Sequence, residues 1–235
     1  MSVKRAHVLQ HVVFEGPGHI ADWLSAQGAE VTTTAWYSGD RALPDLDDID
    51  LLLCLGGPMS VHDNEQYPWL ADERAYLQEA IARGVPTLGI CLGAQQMALC
   101  MGADVTKNPV REIGWYPLVA TDAAVDVPAV WDDLCVLHWH SETFSLPAGA
   151  QQLASSAACA TQAVLMGPRA LALQCHLEIT AVGLEALTLQ CADELTKKGP
   201  SVQAAETLLQ WPSATYHEMH DALTRLLSWL TSPTQ

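Results

Sequence analysis

The first half of the chain alternates short apolar runs with segments of helical periodicity. Residues 6–14 form a β-branched apolar run, and Ile20, Trp23 and Leu24 then recur on one face of a helical stretch. Residues 30–36 return to strand-like composition. This alternation is typical of a parallel sheet covered by helices on both faces.

Two further runs continue the pattern. Residues 51–55 are apolar at every position, as expected for a strand buried on both faces, and residues 86–90 predict the next buried strand. Helices are predicted after them, at residues 69–83 and 94–101. The fold class is therefore α/β with a mostly parallel central sheet.

The second half of the chain differs in its predicted elements, which are several short strands followed by helices. Short strands are predicted at residues 115–120, 135–139, 152–155, 163–166 and 170–175. From residue 180 the pattern is helical, with a break at residues 197–200 and an apolar stripe of Leu223, Leu226, Leu227 and Leu230. We predict one domain over residues 1–198 and a C-terminal helical extension, residues 199–235, packed on it.

The amino-acid composition excludes some classes of binding partner. With 11 Lys and Arg and a formal charge of −16, the chain has no basic surface for nucleic acid. No apolar run of about 18 residues and no signal-like N-terminus occur, so we expect a cytoplasmic protein that does not bind membranes. Seven cysteines, an odd number, favour reduced thiols over a disulfide framework.

The candidate nucleophile is Cys91, which lies between Gly89 and Gly93 where a predicted strand meets a predicted helix. This is the layout of a nucleophile elbow, in which glycines relieve a sharp turn and the side chain projects above the sheet. The helix N-terminus also favours a thiolate. Taken alone, the pattern is equally compatible with a buried structural thiol between two turn glycines.

His176 and Glu178 follow the apolar run 170–175. Their two-residue spacing places both side chains on one side of an extended segment, where the carboxylate can orient the imidazole. Together with Cys91 they supply a nucleophile, a general base and an orienting acid. A His-x-Glu pair by itself is more often a surface hydrogen bond, so the combination carries the prediction.

Gly56-Gly57-Pro58 ends another buried strand. The N–H groups of Gly57 and of Leu92, the residue after the nucleophile, are candidate donors to an oxyanion. The alternative is an ordinary loop opening.

These segments resemble a known family. Residues 86–95, Pro-Thr-Leu-Gly-Ile-Cys-Leu-Gly-Ala-Gln, are similar to the nucleophile motif of class I glutamine amidotransferases, and residues 174–178 are similar to its Gln-Phe-His-Pro-Glu signature. Residues 111–114 and 138–144 are similar to segments of the amidotransferase domain of GMP synthetase. The resemblance implies a flavodoxin-like fold with Cys91, His176 and Glu178 as the triad.

The same resemblance implies a substrate site. Gln95 would contact the bound glutamyl group, and His140, Ser141 and Glu142 would line the pocket for its α-amino and α-carboxylate ends. The chain departs from the family pattern at Cys175, Leu177 and Ser141, and the last of these alters the pocket floor.

The leading hypothesis is hydrolysis of a γ-glutamyl amide, glutamine or another γ-glutamyl compound, through a thioester on the nucleophile. One alternative is an ammonia-donating subunit that works on a separate synthetase, and another is a non-catalytic ligand-binding module of the same fold. We expect a small-molecule substrate, no cofactor and no metal, since the spacing of His138, His140 and His176 fits no common ligand pattern. The leaving amine, the partner and the oligomeric state stay open.

Overall fold

A computed structural model describes residues 3–122 and 127–232. The first residue of the predicted domain, residue 1, and the last residue of the predicted C-terminal extension, residue 235, lie outside these ranges. The strands are β1 (Arg5–Gln10), β2 (Glu30–Ala35), β3 (Leu51–Cys54), β4 (Thr87–Ile90), β5 (Val105–Pro117), β6 (Val119–Ala120), β7 (Cys135–Phe144), β8 (Gln151–Ser155), β9 (Ala163–Gly167), β10 (Ala170–Leu173) and β11 (Ser201–Val202). The helices are α1 (His19–Gln27), α2 (Trp69–Ala82), α3 (Leu92–Cys100), α4 (Ala181–Gln190), α5 (Ala192–Thr196), α6 (Ala205–Leu209) and α7 (Ser213–Leu230).

The central sheet has the strand order β2-β1-β3-β4-β10-β9-β8-β6. The first five strands in this order pair in parallel, and the remaining three add on antiparallel. A smaller sheet has the order β11-β5-β7. The predicted α/β class with a mostly parallel central sheet is confirmed.

Two apolar cores lie on opposite faces of the central sheet. Along β3, Leu51 and Leu53 pack into one core, whereas Leu52 and Cys54 pack into the other. Helices α1, α4 and α7 cover the first face, and α2 and α3 cover the second. Neither face of a doubly covered parallel sheet meets water, and β3 is therefore apolar at every position.

The main error of the sequence prediction concerns β5. We expected a strand over residues 115–120, but β5 already begins at Val105 and pairs with β7 over residues 105–107 and 112–117, with an irregularity between these two stretches. Its first half contains Lys107, Asn108 and Pro109 and is partly exposed. Pairing with β7 therefore outweighs the weak intrinsic β-propensity of this segment.

The C-terminal segment packs on the body of the protein. All four leucines of the predicted apolar stripe are buried on α7, and β11 pairs in parallel with β5. Over the described ranges, none of the helices combines the length and the apolarity needed to cross a bilayer.

Close packing joins the start of α3 to the end of β3. The N–H of Gly93 donates to the carbonyl of Leu55 at 3.1 Å. A Cβ atom built on Gly93 would collide with the backbone carbonyl of Cys54. Glycine is therefore required for α3 to approach the sheet this closely.

We expect Gly93→Ala to lower the free energy of unfolding by about 2 kcal/mol or more, because the added methyl group must push α3 away from β3. Urea denaturation followed by circular dichroism measures the loss. Gly167→Ala is the matched control, since its Cβ would meet only the Cβ of Ala170, at 3.8 Å. Equal stabilities of the two variants would contradict the packing argument.

Candidate active site

Cys91 occupies the turn between β4 and α3 in a conformation that L-amino acids rarely adopt, with φ 50° and ψ −105°. Its N–H donates to the carbonyl of Leu173 in β10 at 2.7 Å, and its side chain is only 8% exposed. Gly89 is also needed at this turn, because a Cβ there would lie 2.5 Å from the sulfur of Met97. Such strain persists only where the surroundings enforce it, and it occurs preferentially at functional sites.

His176 and Glu178 lie just beyond the end of β10, which is shorter than the predicted run 170–175. The N–H of His176 donates to the carbonyl of Leu137 in β7 at 2.8 Å. The Nδ1 atom of His176 and the Oε1 atom of Glu178 are 2.7 Å apart, and both side chains are buried. The carboxylate therefore fixes both the orientation and the tautomer of the imidazole.

Cys91 and His176 both lie close to Gly56. A Cβ atom built on Gly56 would be 3.3 Å from Cε1 of His176 and 3.6 Å from Cβ of Cys91. The thiol of Cys91 also donates to the carbonyl of Trp139 at 3.7 Å. The same Cβ would collide with Oε2 of Glu15, so a residue larger than glycine at position 56 would crowd this carboxyl group and the imidazole.

The electrostatics of this pair favour a charged imidazole. Burial raises the pKa of the Cys91 thiol above its ordinary value, and the neighbouring His176 offsets this rise only in part. Burial alone would lower the pKa of His176, but the Glu178 carboxylate and the Cys91 sulfur outweigh it and hold that pKa well above its usual value. An imidazolium beside a sulfur is the arrangement that stabilises a thiolate.

The two residues that carry the predicted oxyanion donors are in contact. A Cβ on Gly57 would be 3.1 Å from Cδ2 of Leu92. Leu92 is the first residue of α3, where the helix supplies no acceptor for the N–H. Within the described ranges, the N–H of Gly57 has no hydrogen-bond acceptor either. Neither N–H group therefore has a hydrogen-bond acceptor among the residues that the structure describes.

A cavity of about 490 Å³ opens at this point. Of the residues predicted from the sequence, its wall includes Gly57, Cys91, Gln95, His140, Ser141, Glu142 and His176. Leu92 and Glu178 are not part of that wall: Leu92 packs in the core and Glu178 stands behind the imidazole.

Hydrogen bonds hold the predicted substrate-binding residues in place. The amide nitrogen of Gln95 donates to Oε1 of Gln174 at 3.1 Å and to the carbonyl of Glu142 at 3.4 Å. Nδ1 of His140 lies 3.0 Å from the same Glu142 carbonyl. This carbonyl therefore links Gln95 on α3 to the β7 side of the cavity.

Two buried groups of side chains carry metal-type ligand atoms within 4.8 Å of one another: His11 with Cys54 and Glu73, and Glu112 with His138 and His140. In the second group, Oε2 of Glu112 lies 3.1 Å from Nε2 of His140. The same oxygen accepts from Gln162 at 2.7 Å and from Ser156 at 3.1 Å. This oxygen is thus engaged by protein donors, and the group holds His140 in place.

The cavity wall also contains charged residues to which the sequence analysis assigned no role. Lys107 and Arg111 come from β5, Glu194 from α5, and Glu15 from the loop after β1. Arg111 and Glu194 form an ion pair at 3.3 Å. The position of Glu15 after a parallel strand was a signal that could have found it, because ligands bind at the carboxyl ends of such strands.

Glu15 is a second carboxyl group close to the candidate pair. Its Oε2 atom lies against Gly56, on the same side as Cε1 of His176. Burial raises the pKa of Glu15 to about 7, even though His176 and His11 pull it down. This carboxyl group therefore changes charge near neutral pH.

We expect Glu15→Gln to change how stability depends on pH. The unfolded state releases the Glu15 proton near pH 4.5, its ordinary value, whereas the folded state keeps it to about 7. Between these values the contribution of Glu15 to the stability of the wild type falls as pH rises, and the variant lacks this contribution. Allowing for partial exposure, the variant should gain about 1–2 kcal/mol relative to the wild type between pH 4.5 and 8.

Urea denaturation at several pH values measures this difference. Glu206→Gln, at an exposed position on α6, is the control and should show a constant offset. A constant offset for Glu15→Gln as well would show that Glu15 titrates normally.

Known proteins resemble this chain in sequence. Residues 18–186 match the family Glutamine amidotransferase class-I. The glutamine amidotransferase-like protein YfeJ of Salmonella typhimurium is 33% identical over 183 residues, which are 75% of this chain and 76% of that protein. A GMP synthase (glutamine-hydrolyzing) of Syntrophomonas wolfei is 34% identical over 130 residues, 54% of this chain but only 24% of that enzyme.

A solved structure is similar along nearly the whole chain. The glutamine amidotransferase from Thermotoga maritima superposes with a TM-score of 0.89 at 28% identity, covering 98% of this chain and 99% of that one. The predicted flavodoxin-like fold and the predicted family are thereby confirmed. The chain belongs to the class I glutamine amidotransferase family.

Proposed function

We propose that the protein hydrolyses the side-chain amide of glutamine or of another γ-glutamyl compound, with Cys91 as nucleophile, His176 as general base and acid, and Glu178 orienting the imidazole. One observation carries the proposal. The sulfur of Cys91 is held on a strained turn at the cavity, beside a buried imidazole whose Nδ1 atom is 2.7 Å from the carboxylate of Glu178.

In the first half-reaction, His176 takes the thiol proton and the sulfur of Cys91 forms a bond to the γ-carbonyl carbon. The carbonyl oxygen gains the negative charge, and the N–H groups of Gly57 and Leu92 donate to it. His176 then gives its proton to the nitrogen, the carbon–nitrogen bond breaks, and ammonia or an amine leaves. The γ-glutamyl group remains as a thioester on Cys91.

In the second half-reaction, His176 removes a proton from water and the hydroxide oxygen attacks the thioester carbonyl. The carbon–sulfur bond breaks, the acid product leaves, and the thiol of Cys91 recovers its proton. Glu178 stabilises the imidazolium that forms in each half-reaction.

The charges of the cavity suit the other end of a γ-glutamyl group. Glu142 offers a carboxylate to the α-ammonium, next to Gln95, His140 and Ser141. Lys107 adds a cation from the facing strand β5, which suits the α-carboxylate. Both ends of an amino acid thus find complementary charge.

We expect Cys91→Ser to reduce kcat/KM for the best γ-glutamyl substrate by at least about 10³-fold, because the serine hydroxyl is a far weaker nucleophile in this setting. Ammonia release from glutamine and from γ-glutamyl peptides measures this. Cys135→Ser, at a half-buried thiol at the start of β7, is the matched control and should retain activity.

Unchanged hydrolysis by the Cys91 variant would overturn the proposal. Tight binding of γ-glutamyl compounds with no turnover by the wild type would instead support a non-catalytic binding module.

A second candidate function is ammonia donation to a separate synthetase. Helix α4 exposes Val182 and Leu189, at 76% and 74%, two turns apart on one face. Leu187, on the same helix, lines the cavity. A partner docked on this face would contact the helix that forms part of the site, and the similar GMP synthase is a much longer chain than this one.

For this second candidate we expect glutamine hydrolysis by the protein alone to be slow and to rise about tenfold or more when a GMP-synthase-type synthetase module is added. The double variant Val182→Asp/Leu189→Asp should lose the stimulation and keep the basal rate, because a charge at each position disrupts an apolar interface. Rapid hydrolysis by the isolated protein, unaffected by the module, would exclude this function.

A further inference from the structure

A buried chain of hydrogen bonds leads from helix α2 to the peptide group between Gly56 and Gly57. Oε2 of Glu73 lies 2.8 Å from Nε2 of His11, and Nδ1 of His11 lies 2.9 Å from the carbonyl oxygen of Gly56. Glu73 and His11 are 0% and 1% exposed. Neither side chain lines the cavity, so these hydrogen bonds reach the Gly56–Gly57 peptide from the interior of the protein.

This peptide joins two residues that impose little on its orientation. The C=O and N–H groups of a trans peptide point in opposite directions. Because glycine tolerates positive and negative φ about equally, a peptide between two glycines can turn over at low cost. With Gly56 O held by His11 on the interior side, the N–H of Gly57 must point away, and Gly57 lines the cavity.

The ring of His11 faces two acceptors, Glu73 and the Gly56 carbonyl. Only an imidazolium donates to both, because a neutral ring carries a single N–H. The Glu73 carboxylate is itself stabilised by donors: Trp36 at 2.6 Å to Oε2 and Gln96 at 3.3 Å to Oε1. A charged, fully hydrogen-bonded pair inside the protein is rigid, and breaking it is costly.

The surroundings of His11 favour this charged state. Trp69 stacks on the imidazole with ring centroids 5.3 Å apart. The other ionisable groups facing the pair are Glu15, beyond β1, and Cys54, on β3, which is protonated because burial raises its pKa. Burial alone would lower the pKa of His11, but Glu73 and the Gly56 carbonyl reverse the shift and raise it.

We propose that His11 and Glu73 are positioning residues that lock the Gly56–Gly57 peptide with its N–H turned toward Cys91, and so preorganise the oxyanion site. The inference rests on the proposed amide hydrolysis for its catalytic consequence. The inferred orientation of the Gly56–Gly57 peptide does not depend on that function. An oxyanion donor accelerates a reaction only when it is already aimed at the developing charge.

The test compares two double variants that both lose the ion pair. In His11→Asn/Glu73→Gln, the donor-retaining variant, the Asn amide nitrogen occupies nearly the place of Nδ1 and still donates to Gly56. In His11→Gln/Glu73→Gln, the donor-displaced variant, the amide nitrogen reaches the place of Nε2 instead and leaves Gly56 without its donor. A role confined to stability would affect both variants alike.

We expect kcat of the donor-displaced variant to fall at least about 30-fold below that of the donor-retaining variant, with KM within a few-fold, because only transition-state binding is lost. His7→Gln is the matched control. His7 is a buried histidine on β1, the strand that ends just before His11, and its ring is hydrogen-bonded to Thr32 and Thr34 rather than to Gly56. Equal kcat values for the two double variants would overturn the catalytic role.

Two measurements do not depend on turnover. A crystal structure of the donor-displaced variant should show the Gly56–Gly57 peptide turned over or in two orientations, and a single unchanged orientation would overturn the lock. In the unaltered protein, nitrogen-15 NMR should show both ring nitrogens of His11 protonated at neutral pH, and an unprotonated Nδ1 would also overturn it. An inactive parent protein would contradict the proposed function. The crystal structure and the NMR measurement would still test whether His11 and Glu73 hold the Gly56–Gly57 peptide in one orientation.

Discussion

The constraint on which the site depends is the backbone strain at Cys91. A non-glycine residue with φ 50° costs about 1–3 kcal/mol, and it persists because packing around it leaves no alternative. Glycines at positions 89 and 93 let β4 and α3 close on their neighbours, and a hydrogen bond from Cys91 ties the turn to β10. Relaxing the turn would separate α3 from β3 and move the sulfur away from the imidazole.

The rest of the candidate site follows from the parallel sheet. Adjacent parallel strands end at the same edge, so the loops after β1, β3, β4 and β10 meet there. These loops carry Glu15, Gly57, Cys91 and His176, each from a different strand. The small sheet adds the opposite wall through β5 and β7. The cavity that gathers the proposed nucleophile, base and N–H donors thus arises from topology rather than from any one segment.

Charge in this region is organised in buried pairs. His176 with Glu178 and His11 with Glu73 each join an imidazole to a carboxylate at 2.7–2.8 Å, one pair beside the sulfur and the other behind the neighbouring glycine peptide. Glu15 lies between them without a cationic partner in direct contact among the described residues, which is why burial dominates its pKa. The two pairs restrict the rotation of side chains and peptides that must stay aligned around a reacting carbonyl.

Local pattern was enough to predict the α/β class, the strands that end before Gly56 and Cys91, and the amphipathic face of α7, because apolar periodicity reports burial directly. The short motifs around Cys91 and His176 were enough to identify the family, since their residue types are dictated by a strained turn and by chemistry. Only the tertiary structure decided that β5 begins at Val105, that Glu15 faces the cavity, and that His11 holds Gly56 from behind. Each of these depends on contacts between residues tens of positions apart, and such contacts leave no periodic trace in a single sequence.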